Sequence, residues 1–170
     1  MTTLERFQNL KNRKGRIKDE VLLDLFDSLD CFSCEELHSR WKGGDFETGH
    51  WASGVLREMK WFGKWFKTNL DAKPLVCRND NDQLYSNYVM NGEASLWMVE
   101  FRGEISATMI YDGQPIYDHF RKVDDNTILG IMNGKKALGK DVVSNGKYYY
   151  FYLERIEEFP VNFVSGSGYT

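Results

Sequence analysis

From residue 94 the apolar residues of this chain recur with a period of two, and turn signals recur between them. Runs at 95–102, 104–111, 115–123, 127–132 and 147–156 show the alternation of strands that bury one face. Arg102-Gly103, Asp112-Gly113, Asp124-Asp125-Asn126 and Asn133-Gly134 lie between them, each able to supply a positive φ or an Asx turn. Strands joined by tight turns form an antiparallel meander, and a long meander removes its exposed edges by curling into a barrel. The β-rich half therefore dictates what the rest of the chain packs against.

The first half reads differently. Residues 1–18 are polar and basic and are expected to form a loose arm, leaving 19–170 as a single globular domain. Leu22, Leu25, Phe26 and Leu29 recur at helical spacing over 19–29. Ser33-Cys34-Glu35-Glu36 has the spacing of a capping box and predicts a second helix that the glycines after Trp41-Lys42 end. Val55, Met59, Phe62 and Phe66 form an apolar stripe over 52–67, opposite a basic stripe of Arg57, Lys60, Lys64 and Lys67. This predicts one long helix, suited to roofing a barrel mouth or to a solvated face. The expected fold class is α+β, an antiparallel barrel with N-terminal helices packed against it.

Composition narrows the function classes. The chain has 170 residues, 42% hydrophobic and 28% charged, as a folded domain requires. Its 22 basic and 25 acidic residues give a net charge of −3, which argues against a dedicated nucleic-acid binder. No apolar run approaches the ~20 residues of a membrane span. Charged residues without an apolar stretch behind them also argue against a secretory leader. Three cysteines, an odd number, point away from a disulfide framework and toward a reducing, cytoplasmic setting. Cys31, Cys34 and His38, with Cys77 or His50 as a fourth ligand, fall short of a zinc pattern. Gly134 to Lys140 resembles a phosphate loop but has Asp141 where a Ser or Thr should follow, so a hairpin loop is expected. No cofactor is expected, and a homo-oligomer is left open.

The aromatic content, 15%, is the outlier and suits a ligand cavity. In the hairpin of 104–111 and 115–123, one face carries Ile105, Ala107, Met109, Ile116, Asp118 and Phe120. The other carries Ser106, Thr108, Ile110, Tyr117, His119 and Arg121. Either the first face is core and the second solvated, or the first packs under helices while the second lines a cavity. The run Tyr148 to Leu153 is apolar on both faces and predicts a strand covered on both. His119, with Tyr117 and Arg121 on its face, is the candidate general acid or base; the bland alternative is a hydrogen-bonded structural histidine.

Leu37-His38-Ser39-Arg40-Trp41-Lys42-Gly43-Gly44, followed by Thr48-Gly49-His50, resembles the signature of the GXWXG family, with Ser39 in place of the first Gly. The stretch Gly103 to Val123 resembles the domain of unknown function that follows that signature. The resemblance divides the chain into a helical part, 19–78, and a β-meander part, 79–170, with no agreed activity. Trp41 near the start and Arg155 on the last strand are also similar to the calycin, or lipocalin-like, barrels. That likeness implies an Arg packed over a Trp at the closed end, a cation–π contact worth ~0.5–2 kcal/mol.

The leading expectation is binding of a small apolar or aromatic molecule. Trp41, Tyr150 and Phe151 would form its wall, Tyr117, His119 and Arg121 would orient its polar end, and Arg155 would close the barrel. The alternatives are an isomerase or cyclase using His119, and an interaction module with an exposed aromatic patch around Trp61 and Trp65.

Overall fold

Capping residues and turns divide the chain into helices and strands that the computed structural model describes for residues 1–165. The final five residues of the expected 19–170 domain lie outside the described residues. In chain order the elements are α1 (Thr3–Lys11), α2 (Asp19–Ser28), a 3-10 turn (Glu35–Leu37), β1 (Ser39–Asp45) and α3 (Trp51–Glu58). There follow β2 (Trp61–Thr68), β3 (Asp71–Arg78), β4 (Leu84–Ser86), β5 (Ala94–Phe101), β6 (Glu104–Tyr111) and β7 (Ile116–Asp124). The last are β8 (Thr127–Gly134), β9 (Lys136–Ala137), β10 (Lys140–Asp141) and β11 (Tyr149–Ile156).

Among the described residues nine strands form one antiparallel sheet, in the order β2-β1-β11-β8-β7-β6-β5-β3-β4. A further pairing of β2 with β3 brings the strands round into a ring, and the seam between β3 and β5 is narrow, a single pair at Ala72 and Ala94. The meander from β5 to β8 follows the alternation. Arg102 (φ 55°) and Gly103 (φ 81°) make the two-residue turn between β5 and β6, whose twist matches that of the flanking strands. Met109 faces Asp118 and Thr108 faces His119, the pairing expected of the hairpin.

The ring has two hydrophobic layers. Inside lie Trp41, Phe66, Leu96, Met109, Phe120, Phe151 and Leu153 among others. Outside, α1 and α2 cover β8 and β11, burying Phe7, Leu22, Phe26, Leu129, Ile131 and Tyr150. β11 thus sends Tyr149, Phe151 and Leu153 inward and Tyr150 toward the helices, so its aromatics are covered on both faces.

Three local expectations are corrected. Residues 1–18 are not a loose arm. Thr2 and Glu5 form a capping box, the Glu5 N–H donating to Thr2 Oγ1 at 3.1 Å and the Thr2 N–H to Glu5 Oε2 at 2.7 Å. The helix they start buries Phe7 edge-on against Phe46 and Tyr152, which offsets the entropy of ordering it. The helix expected over 52–67 ends at Glu58, because Lys60 takes a left-handed conformation (φ 54°) and the chain leaves as β2. The helix expected from Ser33 shrinks to one 3-10 turn. The Glu36 carboxylate accepts both the Ser33 N–H and its hydroxyl, so that hydroxyl caps no backbone amide. Trp41 consequently sits on β1.

Candidate functional site

β2 is an irregular strand of the ring, with three register shifts against β3. Its register against β3 shifts around Gly63, and both Gly63 and Lys64 are buried. A Cβ at Gly63 would collide with the Trp41 carbonyl, so only glycine lets β2 approach β1 this closely. The bulge turns Lys64 into the ring. There its Nζ lies 3.0 Å from Oδ2 of Asp118, a β7 residue whose neighbours on the inner face are Ile116 and Phe120. Both side chains are 3% exposed.

The Lys64 ammonium also donates to the Pro74 carbonyl at 3.2 Å and lies 5.2 Å from the Phe151 ring centre and 5.6 Å from that of Trp61. Oδ1 of Asp118 is buried and has no hydrogen-bond partner among the described residues. Burial lowers the Lys64 pKa and raises that of Asp118, and the opposite charge of each partner only opposes this. Taking two charges out of water costs several kcal/mol each, so the pair is a weak source of stability. Placing it at the base of an apolar cavity asks for another explanation.

That cavity occupies one end of the ring, with about 50 Å³ free, room for a few waters. Trp61, Leu75, Met90, Tyr111, Met132 and Phe151 form its wall. Val55 and Leu56 of α3 and Met59, which caps it, roof the cavity, together with Ala137 and Leu138 of the β9–β10 hairpin. Leu138 is exposed and left-handed (φ 51°), at the tip of that hairpin.

His50 joins the two halves of the roof. Its Nδ1 accepts the Ala52 N–H at 3.1 Å, capping α3, and its Nε2 therefore donates to the Val142 carbonyl at 2.8 Å. The Trp51 indole donates to the Asp141 carbonyl, also at 2.8 Å. At the opposite end of the ring the guanidinium of Arg155 lies 4.4 Å from the Trp41 ring centre. It also donates to the carbonyls of Glu36 and Asp125. This is the pairing that the calycin resemblance implies, and it closes that end.

The structure separates the expected site residues into two groups. Trp41 and Phe151 face the interior, although only Phe151 touches the cavity. Tyr117, His119, Arg121 and Tyr150 lie on the outer face, so they neither line nor close the cavity. Of the two readings of the hairpin, the face with Met109, Asp118 and Phe120 is core and lines the interior, as the first has it, and does not pack under the helices, as the second has it. The cause is the ring's curvature, which puts that face on the concave side. The other face is covered by the helices around His119 and Arg121 and is not solvated there.

His119 stacks flat on Phe101, 3.9 Å between ring centres, and lies 3.2 Å from Thr108 Oγ1. Arg121 donates to the carbonyls of Phe26, Leu29 and Phe101 and lies over the Phe26 ring, tying the end of α2 to the sheet. The aromatic patch expected at Trp61 and Trp65 is engaged within the chain. Trp61 lines the cavity, and Trp65 packs against Phe159, Phe163 and Arg40.

Burial pushes the His119 pKa down to about 4, with the Arg121 charge adding to the effect. The native state therefore holds this histidine neutral, and its stabilising contribution is complete above the unfolded value near 6.5. That contribution, ~3 kcal/mol, is lost as pH falls from about 6.5 toward 4. Urea midpoints across this window should fall more steeply for the wild type than for His119→Gln. Parallel curves would remove His119 as the cause.

Lys64 was legible only as part of a basic stripe. Asp118, a lone carboxylate between Ile116 and Phe120 on an apolar face, was the available signal, because a buried charge requires a partner.

Comparison with known proteins follows the same division of the chain. Residues 24–82 match the family model described as GXWXG protein, and residues 92–155 match a domain of unknown function (DUF4334). The chain is similar to a protein from Thermomonospora curvata of known crystal structure, with 32% identity and a TM-score of 0.80. The match covers 92% of this chain and 100% of that one. Among curated proteins none matches. No helix of the described residues is long and apolar enough to cross a membrane.

Proposed function

The chain belongs to the family that joins the GXWXG element to the DUF4334 domain, and from the interior of its ring we propose that it binds a small, largely apolar or aromatic molecule carrying one hydroxyl or carbonyl group. The observation that carries this reading is Oδ1 of Asp118, buried without a partner among the described residues, at the base of a cavity that is apolar apart from the Lys64–Asp118 pair. A ligand hydroxyl donates to that oxygen, or a ligand carbonyl accepts from it once it carries a proton. Either satisfies an atom whose desolvation otherwise goes uncompensated, a cost of ~1–3 kcal/mol. Trp61, Phe151 and Met132 contact the apolar body.

Entry requires movement. An aromatic ring needs a cavity of about 150 Å³, so Leu138 and the α3 side chains move aside to admit it. The roof is built for this, being a short helix and a two-residue-per-strand hairpin held by His50 and Trp51.

Isothermal titration with benzyl alcohol, toluene and benzoate tests the reading. Benzyl alcohol should bind ~10-fold or more tightly than toluene, through one hydrogen bond to a charged group. Benzoate should bind most weakly, since it brings a further charge into the interior. Equal affinity for toluene and benzyl alcohol, or no saturable binding of either, would overturn it.

A further inference from the structure

The cavity base holds an amine as well as a carboxyl, and the two are arranged for more than binding. Among the described residues Lys64 Nζ has two hydrogen-bonding contacts, Asp118 Oδ2 and the Pro74 carbonyl. An amino group in its neutral form has two N–H bonds and one lone pair. Those two acceptors take the N–H bonds and leave the lone pair for a third direction. The side chain lines the cavity, with aromatic faces of Trp61, Tyr111 and Phe151 around the nitrogen. Asp118 contacts Lys64 through one oxygen only, so Oδ1 can carry a proton and present it to a cavity guest.

We propose that Lys64 forms a reversible imine with a small apolar aldehyde or ketone seated in the cavity, with Asp118 moving the protons. This rests on the cavity-binding reading and names the substrate class for the same site. In the first step the Lys64 lone pair forms a C–N bond to the carbonyl carbon. The C=O π pair moves to oxygen, which takes the proton from Asp118 Oδ1. The nitrogen, now positive, returns a proton to the Asp118 carboxylate.

In the second step Asp118 protonates the hydroxyl, water leaves with the C–O pair, and the nitrogen lone pair forms C=N. The products are a protonated imine, a carboxylate beside it and one water, so that neutral amine, neutral acid and carbonyl compound are accounted for. Moving one proton from the Lys64 ammonium to Asp118 within the ion pair gives the neutral amine and neutral acid that start this sequence. Desolvation favours both, the usual way a lysine is made nucleophilic. The carboxylate left behind is the counter-ion of the protonated imine. An apolar wall slows hydrolysis by limiting water.

The test uses the full chain, benzaldehyde as the probe and cyanoborohydride to reduce any imine to a stable amine, followed by peptide mapping at neutral pH. Lys64 should be modified ~10-fold or more faster than exposed Lys60, because the cavity holds the aldehyde beside an amine that burial keeps neutral. Benzyl alcohol should protect Lys64 and leave Lys60 unaffected, and Lys60→Arg should leave the rate at Lys64 unchanged. Mapping on the wild type needs no variant of Lys64, so a failure of such a variant to fold does not bear on the result. If benzyl alcohol binds while Lys64 is modified no faster than Lys60, the imine inference is overturned and the binding reading stands. If benzyl alcohol does not bind and Lys64 is not modified, both fall.

Discussion

Lys64→Met should destabilise the fold by about 3–5 kcal/mol, although it replaces a buried charge with an apolar side chain of similar length. The reason lies in what remains. Asp118 is 3% exposed, and Lys64 is its ion-pair partner. Without Lys64 the carboxylate must either stay charged among Ile116, Phe120 and Met109 or take up a proton. The second route predicts a pH signature. The Asp118 pKa, already raised by burial, rises further, and the loss of stability in Lys64→Met shrinks as pH falls and the acid becomes neutral.

The companion double substitution, Lys64→Met with Asp118→Leu, removes both charges. It should recover stability to within ~1 kcal/mol of wild type or exceed it, because a buried pair contributes little over apolar packing. Urea unfolding of the three proteins measures this. A double variant no more stable than the single one would mean that the pair contributes net stability, and would weaken the argument that the site is kept for function.

Trp41→Ala should cost about 3–5 kcal/mol, the usual loss for a large aromatic truncated in a packed core. Trp41 is fully buried at the closed end of the ring, and its indole donates to the Leu37 carbonyl at 2.8 Å. Truncation also takes away the ring beneath Arg155, 4.4 Å from the guanidinium. Arg155 still reaches the carbonyls of Glu36 and Asp125, so it keeps its place but loses the aromatic face. A double-mutant cycle with Arg155→Met isolates that contact and should give a coupling of ~0.5–2 kcal/mol. Zero coupling would show that Arg155 closes the end through its backbone contacts alone. Ligand binding at the far end of the ring should persist in whatever fraction of Trp41→Ala remains folded.

These two sites differ in how far they could be read in advance. Trp41 and Arg155 were legible because a resemblance linked them, and β1 and β11 pair them directly across the sheet. The meander was legible because alternation and turn chemistry agree there, with Arg102-Gly103 the plainest case. Which side of the meander is concave was not. Alternation puts Asp118 and His119 on opposite faces, but only closure of β2 on β3 decides which face is inside.

β2 itself was hidden for a further reason. Val55, Met59, Phe62 and Phe66 keep helical spacing across a helix end, and the break at Lys60 is a left-handed non-glycine residue without a local signal. Lys64 was therefore counted on a solvated helix face, whereas the bulge at Gly63 turns it inward. Tyr150 and Phe151 show the limit of composition. Both are buried aromatics of one strand, yet one packs under the helices and the other contacts the cavity.

The ring interior is proposed to take up a small apolar molecule at the Lys64–Asp118 end. The methionines allow the most direct measurement of it. Met59, Met90 and Met132 line the cavity, whereas Met1 and Met98 are exposed and do not line it. Methyl NMR of the protein labelled at methionine, titrated with benzyl alcohol, should show saturable shifts at Met59, Met90 and Met132 with one dissociation constant. Met1 and Met98 should remain in place. Shifts confined to Met1 or Met98, or none that saturate, would contradict the account.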